Sequence, residues 1–390
     1  MRCNIRSHQV PSLLLLTVVC SLGGASQPAS AQDGPTIIKD SIAVQAYPLS
    51  SYRKNFDIWS WVPMIDFEVH GPIASGDQLF VEFTRPGGGP WAKVDCETHE
   101  IAADYTMRTS CGGRDKIPDE KAINTPGILG FAIKLRNPLS ESGITTLFTG
   151  KAKVVKSRSN NRGPKAVNNF VFYVDYDWTL PIGYVYLDSN DRGSPDFPWL
   201  AAQFWFRGDG SSMVGEAKPA FSSPIEPHLL YQGKEVGLIF LDGEQIGTPS
   251  CGGRADTMQT SRDTHEDLPQ RGKWTRVDCN FSSVVGWDKT GQKRTPLPSA
   301  TGEIHVLSEH PGDYEIKILE RGRLARSLKF TVAEDGTIVD NGIAKANKLG
   351  SDKIIVPVKF TGTPDGVWNK LAWKTDAFFG NPLSGFTWIP

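Results

Sequence analysis

The stretch PGDYEIKILERGRLARSLKFTV, Pro311–Val332, decides the fold class. A Pro-Gly turn leads into an aromatic residue. From Tyr314 to Ile318 apolar and polar side chains alternate, a polar Arg-Gly turn follows, and a second alternating run returns to Val332. Period-two alternation puts one face of each strand toward a core and the other toward water, the pattern of a half-buried antiparallel hairpin. The same plan recurs in PGILGFAIKLRNPLSESGITTLFTGKAKV, Pro126–Val154, where FAIKL stands in the place of YEIKI. Further short runs rich in β-branched and aromatic residues, MIDFEVHG, DQLFVEF, NNFVFYVDY, IGYVYLD, AAQFWFRG and EVGLIFLDG, are bounded by turn residues. No long helical periodicity competes with them. With 39 Gly and 27 Pro in 390 residues, the chain is all-β, a sandwich or barrel.

The GDY corner followed by an alternating strand and a glycine-turned return resembles the closing strands of bacterial extracellular immunoglobulin-like modules. The chain as a whole is similar to uncharacterised secreted bacterial proteins with tandem immunoglobulin-like domains. That resemblance implies two immunoglobulin-like β-sandwich domains in tandem, at 32–165 and 166–335, followed by an extended aromatic-rich C-terminal segment, 336–390. It departs from antibody-type domains because no cysteine sits two residues after Tyr314. No activity comes with it, since this fold hosts many functions.

The N-terminus reads as a secretory signal peptide, residues 1–31. Arg2 and Arg6 precede the apolar run Leu13–Leu22, and Ala29-Ser30-Ala31 is a small-residue cleavage site. A lipid anchor at Cys20 is disfavoured by Val19, where a small residue is wanted. No other run approaches the about 20 apolar residues of a membrane-spanning helix, so no membrane association is expected after cleavage. The net charge of −1 gives no electrostatic footprint for nucleic acid. The expected location is secreted or periplasmic, the extracellular side being favoured.

Cleavage leaves Cys96, Cys111, Cys251 and Cys279 of the six cysteines. They lie in two paired motifs, WAKVDC (Trp91–Cys96) with SCGGR (Ser110–Arg114), and SCGGR (Ser250–Arg254) with WTRVDC (Trp274–Cys279), in reversed order. An even count in an exported chain reads as disulfides, Cys96 to Cys111 and Cys251 to Cys279, each pinning a polar excursion. Alternation is expected to place Val94 with Cys96 and Val277 with Cys279 on one face, Trp91 and Trp274 on the other. The CGGR glycines are expected to form a tight turn.

Catalytic signatures are absent: there is no GxSxG, HExxH, GxxxxGK[ST] or strand-borne GxGxxG. Two weak constellations remain. His99 beside Glu100 and His265 beside Glu266 lie in the loops closed by the expected disulfides, but neighbours on an extended strand point to opposite faces and cannot share one ion. Asp188–Asp196 has carboxylates spaced a little like a calcium loop, with Arg192 where a ligand is wanted; an Asn/Asp/Gly/Pro turn explains it equally. No metal, cofactor or catalytic residue is assigned. Aromatic clusters supply the candidate binding residues Trp59, Trp61, Trp178 and Trp205, since exposed rings stack on sugars and buried ones fill cores.

The expectation is thus an exported, non-enzymatic structural or adhesive protein acting by binding or assembly. An extracellular carbohydrate-binding protein is the first alternative and a metal-dependent hydrolase the second. The partner is an extracellular protein or glycan, or a second copy reached through the C-terminal segment. In that segment KIIVPVKF, Lys353–Phe360, is expected as an added strand, confined by Pro357 to a sheet edge.

Overall fold

The computed structural model describes residues 34–49, 60–102, 106–137, 143–158, 170–189, 194–207, 225–241, 244–246, 250–255, 274–290, 300–320, 322–349, 352–362 and 367–390. The expected signal peptide lies outside the described residues. The first strands are β1 (Thr36–Leu49), β2 (Ser60–His70), β3 (Gln78–Thr84), β4 (Pro90–Asp95), β5 (Glu97–Ala102), β6 (Thr106–Gly112), β7 (Gly127–Arg136), β8 (Ile144–Arg158) and β9 (Phe170–Val174). They build two antiparallel sheets, ordered β1-β2-β6-β5 and β4-β3-β7-β8-β9. The chain passes from the second sheet to the first between β4 and β5, and Cys96 stands at that crossing.

The second half contributes β10 (Ile182–Asp188), β11 (Trp199–Arg207), β12 (Ile225–Tyr231), β13 (Lys234–Glu235), β14 (Ile239–Leu241), β15 (Glu244–Ile246), β16 (Ser250–Ala255) and β17 (Trp274–Val285). After these come β18 (Ala300–Thr301), β19 (His305–Val306), β20 (Gly312–Glu320), β21 (Arg323–Val332) and β22 (Ile354–Phe360). One large sheet runs β13-β12-β20-β21-β22-β10-β11-β17-β16, with β19 beside β17, and β14, β15 and β18 form a small separate sheet. The all-β class read from the sequence holds. The line between residues 165 and 166 falls outside the described residues, and β9 beyond it completes a first-half sheet.

Both hairpins form as the alternation requires: β7 pairs with β8 from Gly127↔Val154, and β20 with β21 from Gly312↔Val332. The GDY corner is closed by Tyr314, whose hydroxyl donates to the His310 carbonyl at 2.7 Å and meets His305 Nε2 at 2.8 Å. A buried phenol is thereby satisfied by the turn that leads into its own strand. Burial, with His310 beside it, pushes the His305 imidazole down to about 4, which keeps it neutral and structural at physiological pH.

Side chains on alternate faces of the large sheet enter different cores. Phe204 and Phe206 join Val277, Cys279, Val356 and Val358 in one cluster, while Trp205 points the other way to join Tyr184, Trp274 and Ile355 in the cluster that fills the first half. The central strands are therefore buried on both faces, which is why all three rings of FWF are internal. WTRVDC obeys the expected alternation, with Trp274 opposite Val277 and Cys279. WAKVDC does not: β4 pairs Ala92 with Phe83 and Pro90 with Thr84, so Trp91 is the extra residue of a bulge. The bulge turns Trp91 inward beside Val94.

The disulfides are Cys96–Cys111 and Cys251–Cys279. Cys251 and Cys279 are directly opposed on β16 and β17. Cys96 and Cys111 extend the β5–β6 ladder by one step beyond Glu97↔Ser110. The expected CGGR turn appears only in the first copy. There Gly112 has φ +94°, and a Cβ would meet the Pro63 carbonyl oxygen at 2.4 Å; in the second copy SCGGRA is the strand β16.

The C-terminal segment folds back on its own chain. β22 is not an edge strand. Its first half pairs with β10, Ile182↔Pro357 to Val185↔Ile354, and its second half with β21, Arg326↔Phe360 to Leu328↔Val358. Proline has no N–H to donate, and the β21 ladder reaches only as far as Val358, the residue after Pro357. A proline thus sits inside a sheet at the handover between two neighbours. Beyond it the segment is not extended: it makes short turns at Ala372–Thr375 and Ala377–Gly380 and buries Phe378, Phe379, Leu383 and Phe386 in the first-half core. Phe378 and Phe379 have φ of 41° and 60°, left-handed values that cost a bulky residue about 1–2 kcal/mol each. Ring contacts hold them there, Phe379 lying 5.6 Å from Phe131, 5.7 Å from Tyr176 and 5.9 Å from Trp178.

Gly150 on β8 makes room for this packing. A Cβ there would lie 2.4 Å from Phe131 Cζ and 2.9 Å from Phe379 Cβ. Gly150→Ala is expected to cost about 1–3 kcal/mol by overpacking, measured as a lower thermal midpoint. An unchanged midpoint would show that the rings can shift without loss.

Candidate functional site

A groove of about 660 Å³ combines an accessible tryptophan with polar groups. Its walls come from the end of β10 (Leu187, Ser189), the Pro195–Pro198 approach to β11, Trp287 after β17, the Thr337–Asp340 turn, Lys345 and Asp352–Ile354. Close backbone approach brings these segments together. Gly286 N–H donates to the Pro198 carbonyl at 2.9 Å, and Ser308 N–H to the Gly286 carbonyl at 3.0 Å. Gly336, with φ +83°, lies where a Cβ would meet the Gly286 carbonyl oxygen at 2.1 Å, so no larger residue fits at that contact.

Trp287 is half-buried. Its indole N–H donates to the Pro195 carbonyl at 2.9 Å, which fixes the ring. Lys289 Nζ lies 5.2 Å from the ring centroid and is not part of the groove wall. The floor is apolar, from Leu187, Ile338 and Ile354; the rim carries Ser189, Thr337, Asp340, Lys345 and Asp352. Asp340 is held by the Gly342 N–H at 2.8 Å. Such a surface can take an amphipathic ligand, with a ring face below and hydrogen-bonding groups above.

The tryptophans singled out in the sequence lie elsewhere. Trp61, Trp178 and Trp205 are 0%, 5% and 3% exposed, so none offers a ring face to solution, and Trp59 lies outside the described residues. Trp61 packs edge-on against Trp91 at 5.0 Å and donates to the Thr125 carbonyl at 3.1 Å. Trp178 lies under Phe378 at 5.2 Å and Trp205 beside Tyr184 at 5.6 Å. Clustered rings marked the core. An accessible ring outside those clusters is Trp287 of VVGWDKT, between a glycine and an Asp288–Thr290 turn in which Thr290 N–H donates to Asp288 Oδ1 at 2.8 Å. An isolated aromatic in a polar turn was the signal to follow.

His99 is exposed on β5, on a strand rather than in a loop; His265 and Glu266 lie outside the described residues. Of the calcium-like stretch, Asp188, Ser189 and Ser194–Asp196 are described, and Ser189 and Pro195 line the groove. Among the described residues no group of three or more His, Cys, Asp and Glu is placed to hold a metal ion.

A second polar feature lies where the C-terminal segment docks. Asp177 is buried between the two halves of the sequence, accepts from Asn369 N–H at 2.6 Å, and lies 3.7 Å from Arg207 Nε. Burial pushes its carboxyl up to about 6, with Asp175 adding to the rise and the Asn369 and Arg207 contacts opposing it. The folded state therefore binds a proton more readily than the unfolded chain. This group's contribution to stability is most favourable at low pH and declines as pH rises from about 4 to about 6. Asp177→Asn keeps an acceptor for Asn369 and removes the titration. The melting temperature of the variant relative to wild type is expected to rise between pH 4.5 and pH 7; a constant difference would refute the assignment.

No family model matches the chain, and no curated protein matches it. Among solved structures, an uncharacterised protein from Listeria monocytogenes EGD-e, in complex with α-D-glucose, β-D-glucose, magnesium and calcium, is similar at 9% identity with a TM-score of 0.16. The match covers 69% of this chain and 20% of that one, about a fifth of that protein's length. A likeness this slight bears on neither fold nor ligand. Among the described residues no helix is long and apolar enough to cross a membrane.

Proposed function

We propose that the chain is an exported structural or adhesive protein that acts by binding and not by catalysis. The observation that supports this reading is how the body is closed. Two disulfides pin the sheets, and the C-terminal segment runs through the large sheet as β22 and then seals the first-half core with its aromatic turns. Groups held on such a scaffold keep their geometry without a ligand, as a binding surface requires. Purified mature protein should adhere to envelope or matrix material of the producing cell and leave it chemically unchanged. Progressive release of soluble fragments from that material would overturn the reading in favour of an enzyme.

A second reading, extracellular carbohydrate binding, is favoured by one observation: the fixed, accessible Trp287 ring in a groove with a polar rim.

A further inference from the structure

We infer that the groove beside Trp287 binds a neutral pyranose glycan, an inference that rests on the reading of the chain as a binding protein. Three features of the groove lead to that ligand class.

The first is what Trp287 has left to offer. Its N–H is already used by the Pro195 carbonyl at 2.9 Å, so a ligand meets the π face and not a donor. The ring cannot turn without losing that bond. Its negative face is complementary to polarised C–H groups. A pyranose carries such groups together on the faces of its ring.

The second is the balance of charge on the rim. Asp340 and Asp352 are acidic, Lys345 is basic, and Ser189 and Thr337 add hydroxyls. A phosphate or sulfate ligand calls for a cluster of cations, and a cationic ligand for an aromatic box or several carboxylates. Carboxylate acceptors, ammonium donors and hydroxyls set above an apolar floor suit a ligand of many hydroxyls and no net charge. Asp340 is oriented by the Gly342 N–H at 2.8 Å and retains further acceptor positions.

The third is size and shape. A groove of about 660 Å³ falls within the ~300–1,000 Å³ of small-molecule sites, enough for a short run of sugar rings.

The test applies full-length mature protein to an array of neutral and acidic glycans and titrates the best neutral ligand calorimetrically. Wild type is compared with Trp287→Ala, Trp287→Phe and Asp352→Asn. Trp287→Ala is expected to weaken binding about tenfold or more, Trp287→Phe to retain part of it, and Asp352→Asn to weaken it severalfold. Asp352 is exposed, so its variant decides the matter should Trp287→Ala fail to fold. Neutral-glycan binding that is indifferent to Trp287→Ala and Asp352→Asn overturns this site while leaving carbohydrate binding standing. Binding confined to acidic glycans or to a protein surface overturns the ligand class while leaving the protein a binder. No binding on the array, together with no adhesion to envelope material, overturns both.

Discussion

Truncation after Phe360 is expected to lower the melting temperature by on the order of 10 °C while leaving the association state of any folded product unchanged, because the segment it removes closes a core in its own chain. Phe378, Phe379, Leu383 and Phe386 are all buried against first-half residues, and burial of a large apolar side chain contributes about 1.5–3 kcal/mol. Ordering the segment offsets part of this gain. Its loss also uncovers Phe131, Tyr176 and Trp178, which Phe379 contacts. Three polar ties would go as well: Asn369 N–H to Asp177, Asn381 Nδ2 to the Thr149 carbonyl and Asn347 Nδ2 to the Ser384 carbonyl. Against a net stability of about 5–15 kcal/mol, the truncated chain stands at the edge of folding. Phe379→Ala isolates the largest single contact and is expected to cost about 3–5 kcal/mol. Thermal melting with light scattering checks both. An unchanged melting temperature would show that the segment does not seal the core, and loss of a native oligomer without loss of stability would move the contact between chains.

Replacing Cys251 and Cys279 together by serine is expected to cost about 3.6 kcal/mol through the unfolded chain alone, from the entropy of the loop that the bridge closes. The corresponding figure for Cys96 and Cys111 is about 3 kcal/mol, the sequence separations being 28 and 15. The second-half bridge is the more consequential. It ties β16, at the edge of the large sheet, to β17. Non-reducing peptide mapping and denaturant midpoints measure the pairing and the cost. A serine double variant as stable as wild type would show that the β16–β17 ladder holds unaided.

Local pattern carried the all-β class, both hairpins and both cysteine pairings, because alternation and turn residues report on neighbours in sequence. It failed where a face meets something distant. Nothing local distinguishes Trp205, with a second core behind its strand, from a ring facing water. The bulge at Trp91 reverses a face by one residue, and period-two counting has no means of detecting it. Pro357 argued for an edge because a proline breaks one ladder; the fold satisfies that constraint by changing partners at that residue. Trp287 was legible in its turn residues, but the walls around it come from five separate stretches of chain.

The position of β22 also dictates when this protein can finish folding. Ile182 and Arg326 must wait for Pro357 and Phe360, their partners near the end of the chain. Until then β10 and β21 present open ladders with a gap between them, and the first-half core lacks its aromatic seal. Synthesis delivers β22 after every strand it pairs with. The same placement that locks the finished body keeps the emerging chain incompletely folded and exposed to strand-to-strand aggregation until β22 arrives.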